Sequence, residues 1–346
     1  MTDPRPSSGE DLPPARRWLI IGVSAVATLS GVILLGLVWI LFAFFGDGPH
    51  SPSPRIVQLR SGASVSEIAD TLEQSGAISS APVFVIMSRL SGAGTRLKAG
   101  EYEIADGASL RSVMAQIEAG KVKRHFLTFP EGMTSANVAA LLNRSDLLTG
   151  TAPTPSEGAV LPETYEITRG EDRAAVLQRM MDARDQLLTT LWPRRRQDLP
   201  LNSPDEAVTL ASIVEKETAK VSERPRIAAV FVNRLQKGMR LESDPTIIYG
   251  ISRGEPLGRP LRLSEVTSPT PYNTYVIDGL PPTPITNPGR AAIAAVLDPP
   301  YSSELFFVAD GTGGHSFAST YEDHLRNVAR WRDIERQAAS TGKGSR

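Results

Sequence analysis

Between Trp18 and Phe45 the chain reads WLIIGVSAVATLSGVILLGLVWILFAFF, 28 residues without a charge. A helix built from it has no polar face to turn toward water, so it needs an apolar surrounding. Such a helix would extend about 42 Å against a bilayer hydrocarbon core of about 30 Å, so it can span with tilt or with residues left in the interface. A cleaved secretory signal is the competing reading, but the run is too long and Ala43-Phe44-Phe45-Gly46 is a poor cleavage site. Arg16 and Arg17 abut its N-terminal end, whereas the next Arg or Lys is Arg55. The positive-inside bias therefore places residues 1–17 in the cytoplasm and the chain after Phe45 outside.

The remaining chain is long enough for two compact domains. Its 37 Lys and Arg against 38 Asp and Glu leave no electrostatic footprint for nucleic acid. The absence of cysteine excludes disulfides and Cys-based zinc sites. It suits an oxidising compartment, although cytosolic chains can lack cysteine too.

Residues 1–15, MTDPRPSSGEDLPPA, are too polar to bury a core. After the apolar run, GDGPHSPSP (46–54) reads as a short, stiff, Pro-rich linker. One local pattern then recurs in RSGASVSEIADTL (60–72), ADGASLRSVMAQI (105–117) and FPEGMTSANVAALL (129–142). In each, Gly turns the chain, and Ser64, Ser109 or Thr134 caps an amphipathic helix. Ser64 and Glu67 form a capping box. RIVQLR and GEYEI carry strand signals ahead of the first two, so the region reads as small β–helix units. These resemble LysM-like modules, which hold glycans in shallow grooves; the same grammar also serves any α+β domain.

A second region follows the Pro/Gly/Thr-rich crossing TAPTPSEGAVLPETYEI (151–167). Helices are expected at about 171–191, 204–219 and 224–237, then Pro/Gly-rich chain with short helices. SELFFVADGTGGHSFAST (303–320) predicts a hairpin, and a helix from Tyr321 closes the fold. The helix over NSPDEAVTLASIVEKETAK has a fixed start, with Ser203 as cap, Pro204 at its first position and Glu206 completing a capping box. Projected at about 100° per residue, Glu217 lies about 55° from the centre of the apolar face, Glu215 about 105° and Lys216 about 155°. A carboxyl at the border of an apolar face has a raised pKa and can serve as a general acid. The alternative is a helix-end glutamate paired with a neighbouring arginine.

ASIVEKET (211–218), VFVNRLQKGMRLESDPTIIYG (230–250), TPYNTYVIDGLPPTPITNPG (270–289) and FFVADGTGGHSF (306–317) closely resemble the MltG (YceG-like) family of membrane-anchored endolytic murein transglycosylases. KAGEYEI, EGMTSANVAALL and LPETY extend the likeness upstream, to cover about residues 55–330. The resemblance implies cleavage of the β-1,4 bond between N-acetylmuramic acid and N-acetylglucosamine in peptidoglycan, leaving a 1,6-anhydromuramic end. It assigns the catalytic acid to the second glutamate of E-K-E-T, here Glu217, the one that the projection favours. Since the muramic 6-hydroxyl can attack its own anomeric carbon, one carboxyl suffices and neither metal nor organic cofactor is required. The four histidines, His50, His125, His315 and His324, form no HExxH or other clustered pattern.

Asp244, Thr246, Tyr249, Asn273 and Tyr275 fall in stretches read as Pro-rich and loop-like, with the Asn, Asp, Thr and Tyr mixture that sugar sites favour. Turn formation and core sealing explain the same residues. Asn233 and Arg234 can reach the cleft or serve a helix end. Glu163 can supply a second acid or a cap, and His315 reads as part of a hairpin tip.

The expected class is α+β, with a cytoplasmic tail (1–17), a single transmembrane helix (18–45), a linker (46–54), a LysM-like module (55–128), a catalytic domain (129–335) and a flexible tail (336–346). The expected setting is the bacterial inner membrane, the bilayer held through residues 18–45 and the catalytic domain periplasmic, on nascent glycan strands. The competing functions are a non-catalytic glycan-binding scaffold and a hydrolytic muramidase. The resemblance implies association with peptidoglycan synthases, and no residue identifies one.

Overall fold

The computed structural model describes residues 14–341, and side chains over 22–337. The expected tails at 1–17 and 336–346 thus fall largely outside the described residues. The chain divides into two compact units, Met1–Arg124 and His125–Arg346.

In the first unit, α1 (Pro14–Phe45) carries the apolar run, and over Gly22–Phe45 it is long and apolar enough to cross a membrane. It is followed by β1 (Arg55–Leu59), α2 (Val65–Gln74), α3 (Ala81–Leu90), β2 (Gly100–Ile104) and α4 (Leu110–Ala119). β1 and β2 pair antiparallel, from Arg55 opposite Ile104 to Leu59 opposite Gly100. Val57, Leu59, Tyr102 and Ile104 turn inward against Leu72, Phe84, Val113 and Ile117.

The Gly-x-Ser/Thr pattern has one geometry at all three sites. Gly62, Gly107 and Gly132 adopt φ of 78°, 65° and 79°, a left-handed conformation costly for residues with a Cβ. Two residues later Ser64, Ser109 and Thr134 accept from the amides of Glu67, Ser112 and Asn137. Each such cap contributes about 1 kcal/mol. The Ser64–Glu67 capping box closes in both directions. α3 is an addition to the sequence reading. APVFVIMSRL is apolar at most positions, which hides its period, while Ser80 caps it through Val83 and Pro82 lies in its first turn.

The second unit opens with β3 (His125–Thr128), α5 (Ser135–Arg144), β4 (Leu148–Thr149), β5 (Thr164–Ile167), β6 (Glu171–Asp172) and α6 (Arg173–Leu191). β3 pairs antiparallel with β5, and β4 parallel with β6. Next come α7 (Pro204–Glu217), α8 (Arg224–Gln236), α9 (Asp244–Ser252), the single turn α10 (Leu263–Val266) and α11 (Arg290–Leu297). The expected hairpin forms from β7 (Phe306–Ala309) and β8 (His315–Ala318), and α12 (Tyr321–Thr341) packs on it.

α7 is the axis of this unit. Every residue from Ala207 to Glu215 is buried, because α8, α9 and α11 all pack against it. Its start follows the sequence, with Ser203 accepting from the Glu206 amide at 3.1 Å and Pro204 in the first turn. The expected capping box is modified. The Glu206 carboxylate accepts from the Asn202 amide at 2.7 Å, where the Asn202 side chain adds donors to the same group.

α9 corrects the loop-like reading of Asp244, Thr246 and Tyr249, which all lie on a helix. Pro245 suits the first turn of a helix and Asp244 complements its dipole, so the proline that suggested a loop starts α9 instead. The core between α7, α8 and α11 includes Leu210, Ile213, Val214, Phe231 and Ile293. Ile293→Ala should destabilise the second unit by about 2–5 kcal/mol, read as a lower midpoint in urea unfolding.

Candidate active site

α7 ends at Glu217, where Thr218 takes the extended conformation, φ −142° and ψ 136°. The two glutamates of EKET have different partners. Glu215 has a side chain only 4% exposed and is bonded to Arg224 Nη2 at 2.5 Å and to the Gly289 amide at 2.9 Å. Arg224, itself 5% exposed, also reaches Glu131 at 2.8 Å. Gly289 sits so close to Glu131 that a Cβ there would fall 1.9 Å from its carboxylate. This network ties α7 to the start of α11. It revises the helix projection, which set Glu215 further from the apolar face, because α7 is packed around most of its circumference and so buries both sides.

Among the described residues Glu217 has no cationic partner in contact. Its Oε1 accepts one hydrogen bond, from Ser243 Oγ at 2.5 Å. Burial pushes its pKa from the ordinary 4.5 up to about 7, against the Ser243 bond, with Asp244 adding to the rise and His315 and Arg234 opposing it. A carboxyl so placed keeps its proton near neutral pH and can donate it.

Asp244 is exposed and accepts from Tyr275 Oη at 2.8 Å. The Tyr275 phenol is pushed well above its ordinary value by burial, then by Asp244 and Glu217. Glu217, Ser243, Asp244 and Tyr275 thus form one electrostatic cluster. Thr246 and Asn273 are fully buried behind it. Thr246 Oγ1 bonds Ser243 O at 2.7 Å and Thr274 Oγ1 at 2.9 Å. The Asn273 amide donates to the carbonyls of Glu265, Val266 and Ser268, and its oxygen accepts from the Tyr275 amide. Tyr249 is buried in a separate aromatic group, with its hydroxyl on Glu157 at 3.2 Å and its ring edge-on to Tyr272 at 5.0 Å.

Four residues join the site that sequence reasoning did not assign to it. Ser243 lies 26 positions from Glu217, too far for any local signal. Thr274 accepts from the Ser243 amide at 2.9 Å. Arg234, considered for the cleft or a helix end, is a buried brace: it bonds the carbonyls of Leu305, Arg240 and Leu241 and the carboxylate of Glu242. Glu242 is left-handed, at φ 54°, and leads directly into Ser243. His315 begins β8 beyond the Asp310–Gly314 tip; its Nδ1 pairs with Glu223 at 2.8 Å and its amide donates to the same carboxylate.

Asn233 holds the carbonyls of Ser302 and Glu304. Glu163 pairs with Arg290 at 2.9 Å. An apolar cavity of about 420 Å³, lined by Leu191, Val221, Pro225 and Ala294, lies elsewhere in this unit. Arg194, Arg195 and Asp298 bring charge to its lining. No group of His, Asp and Glu among the described residues is placed to hold a metal ion.

The YceG-like family profile matches residues 57–330. An endolytic murein transglycosylase from Streptococcus pneumoniae serotype 2 (strain D39 / NCTC 7466) is 29% identical, over 88% of this chain and 63% of that protein. The chain therefore spans under two thirds of that relative's length. One from Bacillus subtilis (strain 168) is 28% identical, over 78% of this chain and 82% of that protein. A solved yceG-like protein from Listeria monocytogenes is 27% identical, covering 80% of this chain and 99% of that one with a TM-score of 0.48.

Because the folded-state pKa of Glu217 is raised, its contribution to stability is complete below 4.5 and is lost as pH climbs through about 7. Glu217→Gln removes that loss. Because Glu217 is only half-buried, the full shift is discounted, and the variant should gain about 2 kcal/mol over wild type above neutral pH and little at about pH 4, measured by denaturant unfolding at both pH values.

Proposed function

The chain belongs to the YceG-like family, and we infer that it is a membrane-anchored lytic transglycosylase acting on peptidoglycan. The observation that carries this reading is the Glu217 carboxyl, bonded to a serine hydroxyl and, among the described residues, to no cation, with a pKa near the pH at which it would work.

The reaction starts with Glu217 protonated. Its proton passes to the oxygen linking muramic C1 to position 4 of N-acetylglucosamine, and the C1–O bond breaks. Positive charge builds on C1 and the ring oxygen, where the exposed Asp244 beside Glu217 offsets it. The muramic 6-hydroxyl closes on C1, forming the C1–O6 bond, and its proton returns to the Glu217 carboxylate. The sums balance: one bond is exchanged for another, no water is consumed, and the acid is regenerated. Holding the 6-hydroxyl against C1 replaces a second-order attack by an internal one.

In this reading Tyr275 and Asp244 meet the sugar, while Thr246, Asn273 and Thr274 hold the two segments that carry them. Tyr249 acts through the wall formed with Tyr272. A hydrolytic muramidase is the second reading, and Asp244 is the observation that favours it, being the second carboxylate such an enzyme would need. In the first unit the order β1–α2–α3–β2, with the two strands antiparallel, supports the reading of a LysM-like glycan-holding module. The anchor helix and Arg16/Arg17 support a cytoplasmic N-terminus and a periplasmic catalytic unit, with strands still close to the membrane as substrate.

Digestion of purified uncrosslinked glycan, with mass spectrometry of the new ends, tests this. Wild type should yield 1,6-anhydromuramic ends; reducing ends would establish the muramidase instead. Glu217→Gln should lower turnover by about 10²–10⁴-fold, and unchanged turnover would remove Glu217 from the chemistry. Ser243→Ala removes a bond that lowers the Glu217 pKa. It should therefore move the alkaline limb of the activity profile upward in pH, with turnover reduced by about tenfold.

A further inference from the structure

The apolar run exceeds the hydrocarbon core by about 12 Å, and the first unit accounts for the excess. Phe44 is 8% exposed and belongs to the buried core of that unit, and Ile40 and Ala43 pack against the same core. These three positions share one face of α1, and the end of α1 packs on α3 and α4. On the other side, Phe42 is 76% exposed and Phe45 54%, with the Arg111 guanidinium 5.5 Å from the Phe45 ring centroid. The chain leaves the helix under restraint: the Gly46 amide bonds Phe42 O at 2.8 Å, the Gly48 amide bonds Gly107 O at 3.1 Å, and the Ser51 amide bonds Asp106. A Cβ on Gly48 would stand 2.1 Å from Ala108 O, so backbone meets backbone there. The connection is a docked helix end with no free swivel.

With the Ile40, Ala43 and Phe44 face docked on the first unit, Trp18–Trp39 remain for the bilayer. That segment is about 33 Å long, which matches the hydrocarbon thickness and brings Trp39 to the interfacial belt. α3 packs beside this exit and bears Ile86, 42% exposed, and Leu90, 77% exposed, one turn apart, next to exposed Arg89.

We propose that α3 is a second membrane contact, lying in the phospholipid headgroup region with Ile86 and Leu90 against the acyl boundary and Arg89 on phosphate, so that the first unit rests on the bilayer at a fixed depth. The occupant is the bilayer that holds α1, because α3 packs on that helix. A helix laid in the interface binds through such a combination of apolar and basic side chains. The proposal rests on the reading of α1 as a membrane anchor.

The chain has no cysteine, so single cysteines can be labelled cleanly at Ser30 within α1, at Leu90, and at Asp70 on the exposed side of α2. Each carries an environment-sensitive fluorophore in the full chain reconstituted into phospholipid vesicles, and quenching by a mixture of headgroup-level and acyl-chain nitroxide lipids is read. Labels at Ser30 and Leu90 should be quenched at least about threefold more than at Asp70, as interfacial burial requires. Quenching at Leu90 no greater than at Asp70, with Ser30 still quenched, overturns the proposal and leaves the anchor standing. Loss of quenching at Ser30 overturns both. As a check on the docked helix end, Phe44→Ser should lower the melting temperature of the first unit by several degrees, about 4–8 °C per kcal/mol lost, while Phe42→Ser should leave it unchanged. Equal melting of the two variants also overturns the proposal.

Discussion

A carboxyl group placed where water cannot fully solvate its charge is the constraint on which the second unit depends. Glu217 receives one hydroxyl bond, from Ser243, and a single neutral donor does not restore the hydration that burial removes. The helix can end in such a group because the charge two residues earlier is treated in the opposite way. Glu215 is matched by Arg224 and by the Gly289 amide, so the buried charge that α7 does carry is compensated and helps to dock α11. Deleting one partner of that pair would leave an uncompensated buried charge, a loss of about 3–5 kcal/mol. The network is therefore a condition for the position of Glu217 as well as for packing.

The opposite wall depends on bonds made from side chain to backbone. Ser243 reaches Glu217 because Thr274 and Thr246 hold the turn before α9, and because Arg234 binds the adjacent carbonyls of Arg240 and Leu241, the Glu242 carboxylate and the distant carbonyl of Leu305. Glu242 sits at positive φ, a conformation that costs about 1–3 kcal/mol for a residue with a side chain. The Arg234 brace offsets it. Asn273 does for the 263–277 segment what Arg234 does for the 240–242 segment, satisfying carbonyls that a loop would otherwise leave open. Pre-formed support of this kind keeps Asp244 and Tyr275 in place around the acid before any ligand arrives.

Features written in short range were legible in the sequence. Gly62, Gly107 and Gly132 each announce a left-handed turn followed two residues later by a cap, and the spacing alone carries that information. Ser203 and Pro204 fix the phase of α7, and the Asp310–Gly314 tip declares the hairpin. Features that depend on what packs from elsewhere were not. The projection of α7 assumed one apolar face, and three helices closing around it buried Glu215 as well. Pro245 reads in the sequence as a sign of loop-like chain, and in the structure it lies in the first turn of α9. The bond from Ser243 to Glu217 crosses 26 positions, and no periodicity encodes it. Asn273 and Thr246 look like sugar-binding residues by type, and their buried bonding is visible only in three dimensions.

The central claim is a protonation state, and it can be measured without substrate. With glutamate labelled at its carboxyl carbon, the NMR resonance absent from Glu217→Gln reports the titration of this one group. A midpoint near pH 7, as desolvation requires, supports the account. A midpoint near the ordinary 4.5 would mean that the carboxyl is ionised at working pH, and that Glu217 is not the proton donor described here.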